Sequence, residues 1–339
     1  MGQLGLFDLE NRLTELSEMG DPLEVVNRVI HWKSFRPVID KVFRIERKSN
    51  AGRPPYDYVL MFKILILQTM YGLSDAQTQF QILDRLTFKR FLGLSSEDHI
   101  PDEKTAWLFR ETLTNAGVIK KLFDLFGRQL NEAGYTAQKG QIIDASFVEV
   151  PRQRNTREEN HEIKNGGTPP EWEKHPEKLR QKDVDAHWTK KNDQTFFGYK
   201  NHASVDAKHK IIRDYVTTSA EVHDSNVLET LLYPDNTSAN VYADSAYRSK
   251  KAERRLAYLL YRSRICVKGT RGAPLTAAQL AQNRKKSKVR ARVEHVFAQI
   301  ELMHRGRIRC IGRLRAAAKI GLLNLVYNMK RFAYLESMA

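Results

Sequence analysis

The chain is poor in cysteine. Cys266 and Cys310 are the 2 it has, too few for a four-thiolate zinc cluster and no basis for a disulfide framework, so a reducing, cytosolic setting is expected. Long apolar runs are scarce too. The most apolar stretch, "VLMFKILILQTMYGL" (59–73), is short for a bilayer span and carries Lys63, so it reads as a buried helix with no membrane role. The start, "MGQLGLFDLENRLTEL", is acidic and amphipathic, unlike a secretory leader. There is no Walker-type phosphate loop and no dinucleotide fingerprint, so nothing implies ATP. Among His202, His209, His223 and His295 no pair has His-x-x-x-His spacing, which argues against zinc catalysis.

What the chain has in excess is positive charge. Lys and Arg total 56 against 40 Asp and Glu, giving +16 over 339 residues. That balance favours a polyanionic partner, nucleic acid first and an acidic membrane second. A hydrophobic content of 41% is enough to build a true core.

Residues 1–135 read as helices. In "YDYVLMFKILILQTMYG" the residues Val59, Phe62, Lys63, Ile66, Leu67 and Met70 recur near helical spacing, with Gly72 as the stop. Ser74 and Gln77 have capping-box spacing, and "IPDEKTAWLFRETLTNAG" places Asp102 and Glu103 at a helix start and Gly117 at its end. Short helices joined by tight turns suit a helix-turn-helix, with "GRPP" laying Arg53 in a minor groove. Plain helical packing explains the same pattern equally well.

After Gly140 the texture changes. "QIIDASFVEV" is strand-like, and a polar insertion follows at about 151–195, expected to be partly mobile or ordered only on binding. "TFFGYKNHASVDA" and "KIIRDYVTTSA" read as a hairpin, "VHDSNVLETLL" as a helix, "NVYADSAYRS" as a strand ending at Asp244, and Ser249–Tyr261 as a basic helix. The strand "SRICVKG" and a long helix containing Glu294 complete the order. The predicted class is α+β: an all-helical N-terminal domain, 1–135, then a mixed sheet flanked by helices, 136–335. A ribonuclease-H-like domain has this order of elements.

Three acids fall at informative places: Asp144 in the first strand, Asp244 at the end of a later one, and Glu294 on the last long helix. In a mixed sheet the first and fourth of these strands can lie side by side, with a helix across them. Each acid alone has a plain alternative: an exposed strand residue, a turn cap, or a partner of Arg290 one helical turn away. Together they suggest a cluster, and bringing two carboxylates within about 4 Å costs roughly 4 kcal/mol at an effective dielectric near 20 unless a cation or raised pKa values relieve it. Oxygen ligands with positions left for phosphate and water suit Mg²⁺ or Mn²⁺, two of which serve phosphodiester chemistry.

The segments "AGRPPYDYVLMFKILILQTMYGLSDAQ", "IPDEKTAWLFRETL", "IIDASFVEVP", "FFGYKNHASVDA", "HDSNVLETLL", "YADSAYRS" and "RARVEHVFAQIE", in this order, resemble bacterial DDE transposases of insertion sequences, of the insertion-sequence family five type. The resemblance implies a ribonuclease-H-like catalytic domain with Asp144, Asp244 and Glu294 as catalytic, metal-binding acids. It also implies Mg²⁺ as cofactor (two ions, Mn²⁺ substituting) and an N-terminal domain that binds transposon ends or dimerises. Element ends and target DNA would be the partners, a homodimer the synaptic form, and the bacterial cytoplasm, at the nucleoid, the location. The related Tyr–Arg–Glu–Lys signature fits in part: Arg290 and Glu294 match, but Ser287 stands at the Tyr position and Glu301 at the Lys position. Lys286, Lys288, His304 or Arg305 are the candidates to replace those contacts.

Candidate DNA contacts are Arg53, Lys200 and His202 in "GYKNH" (as phosphate contacts or as donors supporting the site), Tyr247 (core packing being an equal reading) and Arg248 after Asp244, Arg290 and Arg292 beside Glu294, and Arg305, Arg307 and Arg309 in "HRGRIRCIGRLR", whose alternative is a solvated helix-to-turn segment. A structure-selective nuclease of the same fold, or a DNA-binding regulator without turnover, are the other function classes. Cleavage that ignores element ends would mark the first, and binding without cleavage the second.

Overall fold

A computed structural model of the protein describes residues 8–44, 54–95, 97–191 and 193–338. By backbone proximity the chain divides into two units, Met1–Gln129 with Leu325–Ala339, and Leu130–Asn324. The last helix, Arg313–Ser337, begins in the second unit, and its residues from Leu325 group with the first.

The first unit is helical, as its periodicity predicts. The Tyr58–Tyr71 helix starts where the Asp57 carboxylate accepts from Leu60 N at 2.9 Å and stops at Gly72, which takes a left-handed conformation. It is buried on nearly all sides, which its continuous apolar sequence requires. Lys63 is tolerated there because its Nζ donates to Asn27 Oδ1 (2.7 Å) and Phe91 O (2.9 Å), although burial lowers its pKa. Both hydrogen bonds of the Ser74–Gln77 capping box form. No single described helix is long and apolar enough to cross a membrane.

The second unit is built on a mixed sheet. Its strands are β1 (Gln141–Glu149), β2 (His187–Lys191), β3 (Gln194–Asp206), β4 (Ile212–Ser219), β5 (Asn240–Tyr242) and β6 (Arg262–Ser263). The order is β2-β3-β1-β5-β6, with β4 also on β3. β1, β3 and β4 are antiparallel, while β5 runs parallel to β1 and β6 to β5. Gly198 makes the central pairing possible. A Cβ there would stand 2.4 Å from the Val148 carbonyl oxygen, and φ is +143°. The gap it leaves lets Phe196 stack on Phe147, ring centroids 4.2 Å apart.

Four segments differ from expectation. The insertion is folded: Trp172 and Ile163 are buried, the Trp172 indole donates to Glu159 at 2.6 Å, and buried Asp183 accepts from the Tyr199 hydroxyl at 2.8 Å and from Gly312 N at 3.0 Å. Its averaged polarity conceals this small apolar centre. "VHDSNVLETLL" contributes only the 3₁₀ turn Asp224–Val227, because His223 caps it within two residues and the chain then turns. Of "SRICVKG" only Ser263 falls in the two-residue strand Arg262–Ser263, although Arg264 N and Cys266 N still donate to Val241 O (2.8 Å) and Ala243 O (3.2 Å). The long helix breaks at Ala291 into Ala277–Arg290 and Arg292–His304, without a glycine or proline to announce it.

Candidate active site

β1 and β5 pair only through Gln141–Val241 and Ile142–Tyr242. Two residues beyond the last pair on each strand stand Asp144 and Asp244. Because strand side chains alternate in direction, both acids emerge in phase where the two strands part. Each accepts a nearby backbone N–H, Asp144 from Ala145 at 2.9 Å and Asp244 from Ala246 at 2.8 Å. Asp244 thereby caps the 3₁₀ turn Ser245–Tyr247.

Asp144 is almost wholly buried, and burial raises its carboxyl pKa, with the Asp244 charge adding to the effect. Arg290 and the Ala145 N–H act the other way but do not cancel it. Arg290 Nη1 reaches Asp144 Oδ2 at 2.6 Å, and Nη2 reaches Glu294 Oε1 at 2.7 Å. The guanidinium therefore stands between the two acids. Glu294 itself is largely exposed, while Val293, Val296, Ile300 and Met303 bury the opposite side of its helix.

Among the described residues no three His, Cys, Asp or Glu side chains are close enough to form a ready metal cluster. The donor chemistry nonetheless fits a hard divalent cation. Asp144 and Asp244 offer oxygen only, and the one cation shared by Asp144 and Glu294 is an arginine, which a metal ion can displace. The Tyr247 hydroxyl is buried and has no hydrogen-bond partner among the described residues; burial, with the charges of Asp224, Asp144 and Asp244 adding to it, raises its pKa. It is a polar atom left unsatisfied beside the acids.

Other expected contacts sort by exposure. Lys200 is buried, with Nζ on Val222 O (2.7 Å) and Asp224 Oδ1 (2.8 Å), so it braces the 3₁₀ turn and does not present itself to a phosphate. His202 is fully buried against Thr218 and Tyr247 is fully buried in the core, so neither offers a face to DNA. Both lie on strands or turns whose inner side the sequence does not mark. Arg248 is exposed, with Glu253 at 3.5 Å. Arg292 is exposed but donates to the Ala207 carbonyl. Lys286 and His304 are half-buried; Lys286 donates to Ile265 O at 2.8 Å, and burial depresses the His304 pKa to about 4. Arg53 lies outside the described residues.

The arginine row fares differently. Ile308 is buried and donates its N–H to Glu149 O at 2.9 Å, which fastens this segment to the end of β1. Arg305, Arg307 and Arg309 are exposed around it, with no ion-pair partner among the described residues. Three exposed arginines therefore sit on the segment fastened to the end of the strand that carries Asp144.

Residues 135–329 match the sequence model of the family described as "Transposase DDE domain", and residues 11–112 match that described as "Transposase domain (DUF772)". The piggyBac transposase, solved by cryo-electron microscopy as a synaptic complex with hairpin DNA, aligns with a TM-score of 0.49 at 14% identity, covering 94% of this chain and 76% of that one.

Proposed function

This chain belongs to the transposase DDE-domain family, and we propose that Asp144, Asp244 and Glu294 are the acids on which its strand cleavage and strand transfer depend. A DNA transposase is a DNA-binding enzyme of phosphodiester bonds. The observation that carries the residue assignment is the in-phase emergence of Asp144 and Asp244 two residues beyond the last β1–β5 pair, with Glu294 tied to Asp144 through Arg290.

Asp144, Asp244 and Glu294 would hold Mg²⁺, or Mn²⁺ in its place, as a pair of ions. Bound there, the ions supply activation of the attacking oxygen and charge stabilisation of the leaving one. The chain's own groups do the rest. Arg290 passes from the carboxylates to an incoming phosphate, freeing Glu294 to turn inward. Arg305, Arg307 and Arg309 hold the backbone of the DNA end along β1. Water first breaks the phosphodiester bond at the element end and leaves a 3′-hydroxyl. That oxygen then forms a bond to a target phosphorus as the target strand's own 3′ oxygen leaves.

The resemblance to bacterial insertion sequences of the family five type supports element terminal repeats and target DNA as substrates, and a homodimer as the synaptic form. It also supports action in the bacterial cytoplasm, at the nucleoid. The test is incubation of purified protein with Mg²⁺ and DNA bearing the flanking element ends, followed by mapping of the cuts. Nicks confined to the ends are expected; equal cutting of unrelated DNA would point to a structure-selective nuclease instead.

A further inference from the structure

We infer that the groove between residues 225–232 and the Lys250–Tyr258 helix is a second track for the DNA phosphate backbone, distinct from the Arg305–Arg309 row. The ligand class rests on the transposase reading; the site rests on its own geometry. The groove is open and of about 960 Å³. One wall carries Lys250, Lys251, Arg254 and Arg255, the other Glu229 as its one carboxylate.

That carboxylate is already satisfied, since Arg255 Nε donates to it at 2.8 Å. Lys250, Lys251 and Arg254 are exposed and have no hydrogen-bond or ion-pair partner among the described residues. Glu229 also feels the charge of Lys251, so one carboxylate faces four cations. A concave wall with that excess of positive charge attracts a polyanion, and the DNA phosphate backbone is the polyanion that the transposase reading supplies.

The floor is firm. Leu228 and Leu256 belong to the buried cluster that also contains Tyr247, so the walls are held at fixed separation. Tyr258, 75% exposed at the far end, presents its ring with the Arg255 guanidinium 5.2 Å from the centroid. Such a face suits a sugar or an unpaired base. The position is also apt: Ser249 caps the helix five residues after Asp244, so a strand in the groove leads toward that acid.

The test is the full-length triple variant Lys250→Gln, Lys251→Gln, Arg254→Gln, measured by fluorescence anisotropy over a salt series. Two probes are used, a duplex carrying the element end and an unrelated duplex. Each lost phosphate contact flattens the log–log salt slope by about 0.9, so a total change of about 2 to 3 is expected, with affinity reduced tenfold or more at low salt. A loss on both probes assigns the groove to any duplex, target included; a loss on the end probe alone assigns it to DNA of the element end. Unchanged affinity and slope on both would overturn the inference.

Lysine acylation provides a reading that does not depend on the variant's folding. Saturating DNA should protect Lys250 and Lys251 of the wild-type protein at least severalfold, and equal reactivity with and without DNA would overturn the groove. Wild-type protein that binds neither probe fails the transposase reading itself. Wild-type protein that binds and cuts, with the triple variant indistinguishable from it, fails the groove alone.

Discussion

Arg290 holds Asp144 by a 2.6 Å contact from Nη1 to Oδ2, linking the helix that ends at Arg290 to the centre of β1. The same side chain reaches Glu294 at 2.7 Å, so one guanidinium substitutes for the positive charge that two carboxylates demand. Arg290, one of the candidate DNA contacts, therefore has a task inside the protein.

We predict that Asp144→Asn, Asp244→Asn and Glu294→Gln each lower end cleavage by about 10³-fold or more, since a lost metal ligand removes several kcal/mol of transition-state stabilisation. Binding of end DNA should stay within about threefold of wild type. Gel assays of cleavage and anisotropy of binding decide it. Normal strand transfer by any one of these variants would sink the assignment.

Arg290→Gln separates the two tasks of the arginine. Its charge-assisted bonds to the carboxylates are worth on the order of 1.5–3 kcal/mol each, and an incoming cation must replace them. The variant should therefore bind Mn²⁺ about tenfold more tightly by calorimetry, while cleaving more slowly for want of a phosphate contact. Weaker metal binding in the variant would show that Arg290 organises the acids instead of competing for them.

Asp144→Asn should also raise thermal stability at neutral pH. The folded-state pKa lies above the ordinary 3.8 because burial penalises the charged form. A raised carboxyl pKa means that the penalty is fully felt above the folded value and disappears as pH falls below 3.8. The Tm difference between variant and wild type should accordingly shrink on acidification. A variant less stable than wild type at pH 7, with a difference that grows in acid, would contradict this.

His202 makes a contribution of opposite pH dependence. Burial, with Lys200 beside it, depresses its pKa from 6.5 to about 4, and Asp224 only partly opposes the shift. Between those values the unfolded chain binds a proton that the folded chain does not. Stability is full above pH 6.5 and falls toward pH 4, by up to about 1.4 kcal/mol per pH unit. His202→Gln should flatten that slope in denaturant titrations; an unchanged slope would show that His202 does not stay neutral.

Gly198→Ala tests the scaffold. The added Cβ would meet the Val148 carbonyl at 2.4 Å with φ at +143°, so a loss of about 1–3 kcal/mol or more is expected in urea unfolding. Because β1 carries Asp144, cleavage should fall along with stability. A variant as stable as wild type would mean that the β1–β3 pairing can relax at no cost.

Much of this was legible in the residues. Alternation and turn chemistry marked β1, β3 and β4, and Ser74, Asp102 and Gly72 marked helix ends, because side-chain period and capping are local properties. The three acids stood out because each sits at a strand or on a helix in an ordered set of motifs. Exposure was not legible. Lys200 and His202 could be read from type and neighbourhood as phosphate contacts or as supporting donors, and only their burial separates the two readings, because the composition of a strand does not say which of its faces is covered. The helix around Lys250–Tyr258 was visible as basic, but that Glu229 is the one carboxylate facing its cations could be seen only once the opposite wall was in place.

The sequence by itself determined the basic balance, the main helix ends and the strands β1, β3 and β4, and it singled out Asp144, Asp244 and Glu294 as candidates, since all of these depend on neighbours along the chain. Tertiary structure alone decided that Asp144 and Asp244 emerge in phase, that Ala291 breaks the helix that carries Glu294, and that Arg290 stands between Asp144 and Glu294. Those outcomes depend on strand register and on which helix face the core takes up, and both are set by contacts between residues far apart in sequence.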